Sequence, residues 1–181
     1  MSAGRGVLGL LIGDRTSPRY FSFTLRGLAG SFIAFIVVTA INAVLPLGLG
    51  EGNEPGGIAR SLIIVAILYG MQVGFAALVL RQLGRLDGLV PFMVADNWAT
   101  FFLTLISVAI SAAGMSGLVV VYGLGLVILV FEVNIARLVV TLPGLQVAMF
   151  VVARLVAAFV GVLIAQFLGL IPPIALDMPV S

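Results

Sequence analysis

A helix needs about 20 predominantly apolar residues to cross roughly 30 Å of hydrocarbon, and this chain contains five such runs or near-runs in succession. In lipid every backbone N–H and C=O must find its partner within the same segment, so runs of this length fold as helices. They extend from about Gly27 to Leu49, Ile58 to Leu80, Trp98 to Ala113 and Leu118 to Ala136, with the last entering between Gln146 and Leu155 and ending at Ile171. The predicted fold is all-α, a polytopic integral membrane bundle of about five transmembrane helices.

Composition agrees with lipid as the main solvent. Hydrophobic residues make up 62% of the chain and charged residues 9%, against roughly 45–50% and 25% in soluble domains. With nine basic and seven acidic side chains, a soluble 181-residue domain lacks the charge to solvate its surface. The net charge of +2 comes from scattered arginines, with no basic run and no lysine, so nucleic acid is not an expected partner. Histidine and cysteine are absent, which removes disulfides, thiolate chemistry, haem ligation and most zinc or copper sites; no cofactor is expected. Arginine without lysine, beside abundant alanine, glycine and valine, fits a GC-rich coding bias and hence the cytoplasmic (inner) membrane of a bacterium.

The arginines also set an orientation. Arg5, Arg15, Arg19 and Arg26 precede the first run, Arg81 and Arg85 follow the second, and Arg137 and Arg154 lie between the fourth and fifth. Five crossings put all eight on one side, opposite Arg60, Glu51, Glu54 and Asp177. By the positive-inside rule the amino-terminus is cytoplasmic. Residues 1–26 then form a cytoplasmic or interfacial segment, 27–173 a single transmembrane domain, and 174–181 a short extracytoplasmic tail. The stretch Val7 to Ile12 is too short for a signal peptide core and reads as a helix lying on the cytoplasmic face, or as a frayed end. Gly114-Met115-Ser116-Gly117 makes a tight turn between the third and fourth runs. Pro143-Gly144 breaks the apolar stretch from Leu138, which reads as a connector as far as Arg154.

Three polar or small-residue patterns stand out within the runs. Ala157, Gly161, Ala165 and Gly169 recur every four residues and so share a helical face on which another backbone can approach closely. That face serves packing within the molecule or a homo-oligomer; Ala66, Gly70 and Gly74 form a similar series on the second run and are candidates to meet it. Thr100, Thr104, Ser107 and Ser111 form a hydroxyl seam, which is either packing glue or the lining of a polar path. Asp96, Glu132, Arg137 and Arg154 fall at similar depth near the cytoplasmic interface, with Asn97 and Asn134 beside them. An unpaired carboxylate there is costly, so an ion-paired belt is expected, setting register or binding an anionic lipid headgroup or a partner protein. No carboxylate pair, nucleophile or phosphate loop is recognisable, and no enzymatic activity is expected.

With Pro18 ahead of the first run, Val121-Tyr122-Gly123-Leu124-Gly125-Leu126 inside the fourth and a small-residue fifth run, the chain resembles the Yip family of five-span membrane proteins. It lacks that family's acidic Gly-Pro motif before the first span and its long cytoplasmic amino-terminal region. The resemblance implies a non-enzymatic role in membrane organisation or trafficking, and carries over no site residue. The first functional expectation is a small scaffold or accessory subunit, packing against itself or within a larger membrane complex in the lipid bilayer. The second is a compact transporter or channel-forming subunit with a Ser/Thr-lined path.

Overall fold

The computed structural model describes residues 2–48, 56–115 and 117–171. Among these the chain is helical, with α1 (Ser2–Ile12), α2 (Leu25–Gly48), α3 (Gly57–Gln82), α4 (Leu89–Ala112), α5 (Leu118–Asn134) and α6 (Gly144–Phe167). Short 3-10 turns precede α2 and α4, and a π turn, Ile135–Val139, extends α5. Among the described residues, five helices, α2 to α6, are each long and apolar enough to span a membrane, and the protein is an integral membrane helix bundle. The acidic stretch from Glu51 to Pro55, Ser116, and the prolines and tail from Pro172 onward lie outside the described residues.

Two helix pairs build the frame: α3 packs along α6, and α2 packs along α4. Helix α5 touches both pairs more sparingly. The buried core gathers at the arginine-rich end, where Leu80, Phe92, Ala95, Ile135, Val140 and Phe150 close on one another. Toward the far end burial thins out, and residues 118–130 of α5 include none that is buried.

Arginine side chains knit the connections at the closed end. Arg85, between α3 and α4, donates to the Val140 carbonyl at 2.8 Å, the Thr141 hydroxyl at 2.8 Å and the Thr141 carbonyl at 3.3 Å. These are carbonyls that the end of α5 leaves without intrahelical partners. Thr141 takes a positive φ of 61° in that turn, and Arg85 bonds both its side chain and its backbone there. The far-end turn between α4 and α5 is closed by Gly114 in the left-handed region, with Met115 N–H bonding to Ile110 and Gly114 N–H to Ser111, a Schellman ending.

The first, second and fourth spans start and stop within a few residues of the sequence reading, but two boundaries differ. Helix α4 begins at Leu89 rather than near Trp98. Pro91 sits in its first turn, where a missing N–H costs nothing, and both Asp96 and Asn97 find partners inside, so neither ends the helix. The stretch from Leu138 to Arg154 is not a connector: α6 starts at Gly144, directly after Pro143 at its N-cap. Arg154 therefore stands roughly ten residues into the helix, about 15 Å from its start.

Helix α1 is neither frayed nor isolated. Val7 and Leu10 are part of the buried core, and the space beside Gly4 is filled by the Phe102 ring of α4. The Leu10 carbonyl accepts a 2.7 Å hydrogen bond from Asn134 Nδ2, so α1 leans against α4 and α5 as a buttress.

Candidate functional site

The site begins with three charged side chains brought from three helices. Arg154 on α6 donates from Nε to both Glu132 oxygens on α5, at 3.2 and 3.1 Å. Its Nη2 donates to Glu132 Oε1 at 2.5 Å and to Asp96 Oδ1 on α4 at 3.0 Å. The three side chains are 5%, 13% and 14% exposed, in the order Arg154, Glu132 and Asp96. Phe92 covers one face of the guanidinium, with its ring centroid 4.7 Å from Cζ, and Phe92 is itself braced edge-on by Phe150. Arginine suits this place because its planar fork serves two carboxylates at once.

Counting residues inward from the helix ends places the triad about 10–15 Å from the arginine-rich boundary, well inside a hydrocarbon layer of roughly 30 Å. Isolated charges at that depth are costly, so each is held there by its partners. The balance is nevertheless uneven. Two carboxylates face one guanidinium, so neutrality calls for one further positive charge, a proton or a cation, and Arg154 Nη1 is buried without a hydrogen-bond partner.

Above the triad, toward the far end, lies a partly open cavity of about 340 Å³. Asp96, Glu132 and Arg154 form its floor; Thr100, Thr104 and Ser107 line one wall, and Asn42 from α2 and Gln72 from α3 add polar groups. Leu103, Leu124, Ile128 and Phe131 supply apolar surface between them. A smaller recess of about 140 Å³ between α5 and α6 reaches the same Gln72, Glu132 and Arg154.

A second polar chain stiffens the helices behind the site. The Tyr69 hydroxyl donates to Asn97 Oδ1 at 3.1 Å, Asn97 Nδ2 donates to Ser31 Oγ at 3.2 Å, and Ser31 donates to the Leu28 carbonyl at 2.9 Å. Asn97 and Ser31 are fully buried, so α2, α3 and α4 are joined by a satisfied network in apolar surroundings.

The candidate residues of the sequence are thus partly united. Of the expected belt, Asp96, Glu132 and Arg154 meet, whereas Arg137 is exposed within the π turn and has no ion pair with them. Of the hydroxyl seam, Thr100, Thr104 and Ser107 line the cavity, while Ser111 is exposed near the far end. Ala157, Gly161 and Ala165 are buried on the face that α6 turns to α3, where Leu68 and Met71 lie against Gly161. Gly169 does not belong to that face. It is an exposed left-handed residue at φ 69° that ends the helix, with Leu170 N–H bonded back to Ala165. Nor do Ala66, Gly70 and Gly74 meet α6: they are exposed, because Leu68 and Met71 occupy the side of α3 that faces it.

The sequence reading missed that these patterns converge. Extending the hydroxyl seam four residues back from Thr100 reaches Asp96, and extending the small-residue face three residues back from Ala157 reaches Arg154. Both continuations hold helical spacing and so were present as signals. Phe92 as the guanidinium cover and Ser31 as the end of the Asn97 chain had no such signal. No protein-family model matches this chain, and no curated protein or solved structure matches it.

Proposed function

We propose that this protein is a compact transporter that takes a small polar solute into the cavity above the Arg154 triad, in the cytoplasmic membrane of a bacterium with its arginine-rich face inside. One observation carries the reading: hydroxyls, two amides and three charged groups from five helices converge on one cavity in the middle of an apolar bundle. Intramembrane ionisable groups that face a bundle interior or a cavity mark solute and ion paths. The asymmetry of the bundle supports the same reading. A packed core lies below the triad and loosely packed helices lie above it, as in a carrier open to one side only.

Single cysteines test this, and the chain has none of its own to interfere. With cysteine at Thr104, Ser107 and Ser111 in turn, an aqueous maleimide applied to sealed membranes is expected to label all three. If Thr104→Cys and Ser107→Cys stay protected while Ser111→Cys labels, the cavity is dry and the transporter reading falls.

A second reading, a scaffold or accessory subunit, rests on α3. Gly70 and Gly74 have nothing within 4 Å of the position a side chain would take, so this small-residue face is open to a helix of another protein or a second copy. Such a role also fits what the Yip-like plan implies. Exposed Arg137 is the belt residue left for an anionic lipid headgroup, and Arg137→Gln is expected to reduce the lipid retained in native mass spectrometry. Gly70→Leu with Gly74→Leu is expected to abolish co-purification of a partner; unchanged co-purification removes the scaffold reading.

A further inference from the structure

Resting on the transporter reading, we propose that the cavity selects a small primary amine carrying one positive charge and a nearby oxygen acceptor, a solute of the amino-alcohol class. Charge comes first. Asp96 and Glu132 share a single guanidinium, and among the described residues no other cationic side chain lines the cavity, so the floor is short of one positive charge, which a proton or a bound cation can supply. The remaining groups facing the site from the packed helices are uncharged: Asn42 on α2, Gln72 on α3 and Thr100 on α4, with the Tyr69 hydroxyl engaged by Asn97 behind. An anion is repelled from such a floor, and a neutral solute leaves it unbalanced. An ammonium group, protonated at neutral pH with a pKa of about 10, matches its charge and donates to carboxylate oxygens.

Shape separates an amine from a bare ion. A cavity of about 340 Å³ exceeds what a single inorganic cation fills, and its walls alternate hydroxyls with Leu103, Leu124, Ile128 and Phe131. Such a lining suits a charged head followed by a short carbon chain. The third element is the uncharged polar lining. The Asn42 and Gln72 amides and the Thr100 hydroxyl all line the cavity and can donate. A hydroxyl or carbonyl oxygen on the solute, a few bonds from the ammonium group, accepts from these donors. Head, chain and acceptor thus map onto Asp96 with Glu132, the apolar wall, and the amide and hydroxyl lining.

The test is isothermal titration of the purified full-length protein in detergent with ethanolamine, ethylamine, ethanol, acetate and sodium chloride as separate probes. Saturable binding of ethanolamine is expected, several-fold weaker binding of ethylamine, and no binding of ethanol or acetate. Asp96→Asn removes the surplus charge yet keeps an acceptor for Arg154, and is expected to weaken ethanolamine at least tenfold while its unfolding midpoint stays close to that of the wild type. The wild-type probe series needs no variant to fold. Absence of ethanolamine binding, equal binding of acetate or ethanol, sodium binding with no amine binding, or an unchanged affinity in a folded Asp96→Asn protein each overturns the proposal. Cysteine labelling reads water entry whatever the solute, so a labelled seam without amine binding removes this proposal and leaves the transporter reading in place.

Discussion

Replacing Arg154 by methionine removes the one cation on which the two buried carboxylates of α4 and α5 depend. Methionine keeps an unbranched apolar stem and loses the head that lies over Phe92 with every hydrogen bond it makes, four donor-to-acceptor contacts between 2.5 and 3.2 Å. Removing one partner of a buried ion pair costs about 3–5 kcal/mol, because the other charge is left uncompensated. Here two carboxylates are stranded, each less than one-seventh exposed or close to it, so the loss is expected at the upper end, about 5 kcal/mol. Asp96→Asn runs the opposite way. It gives up one charge-assisted bond, worth about 1.5–3 kcal/mol, but it also removes the repulsion between two carboxylates bonded to the same Nη2. The net change is expected within about 1 kcal/mol. Reversible unfolding in mixed micelles, followed by helical circular dichroism, measures both. The triple variant with Arg154→Met, Asp96→Asn and Glu132→Gln is expected to recover at least half of the single-variant loss, since no charge then remains in the site. If Arg154→Met is as stable as the wild type, or Asp96→Asn costs as much as Arg154→Met, the triad does not hold the three helices together and the charge argument fails.

Three further outcomes follow from packing and hydrogen bonding. Gly161→Ala places a methyl 2.8 Å from Leu68 Cδ2 and 3.5 Å from its Cα, so the side-chain end must swing aside, and thermal unfolding in detergent is expected to register a small loss. Gly161→Leu overpacks the same contact and is expected to cost about 1–3 kcal/mol; no difference between the two variants means that α3 and α6 are not in close contact there. Asn97→Leu strands the Tyr69 hydroxyl, and unfolding is expected to show a loss of roughly 1–2 kcal/mol, most of it absent when Tyr69→Phe is combined with it. Asp14 caps the turn after α1 by accepting from the Thr16 backbone N–H at 2.8 Å, which holds its pKa below the ordinary 3.8. A lowered folded pKa stabilises above the unfolded value and is lost as pH falls through the folded one, so the protection of the amides of residues 13–17 relative to their intrinsic exchange at each pH is expected to fall only under acid conditions below pH 3.8. Protection that falls between neutral pH and pH 5 contradicts this.

Hydropathy alone located the five spans, because backbone bonding in lipid admits few alternatives to helices and leaves no doubt where apolar runs must lie. The ends that moved did so because local marks were read as boundaries: the Trp98 ring for α4, and Pro143-Gly144 together with Arg154 for α6. Arg154 looked like the foot of a span, yet two acidic residues distant in sequence allow it to stand in the middle of one. A local scan cannot see such compensation, since Asp96 and Arg154 are brought together only when α4 and α6 have packed. The hydroxyl seam and the small-residue face were both legible as helical periodicities. Their meeting at one floor depends on the rotation of each helix about its axis, which nearly uniform apolarity leaves unspecified in the sequence. Gly169 shows the converse error, where four-residue spacing continued past the last helical turn into a residue chosen for its backbone conformation.

Helix α5 forms one wall of the cavity, yet between residues 118 and 130 none of its positions is buried. Its lower end is anchored through Glu132, the Asn134 bond to α1 and the π turn, so the upper part is a cantilever whose outer side rests on acyl chains. On the transporter reading, the width of the cavity is expected to respond to the lateral pressure of the surrounding bilayer, and solute entry to the chain length and unsaturation of the host lipids, so that activity measured in detergent and in native membrane differs.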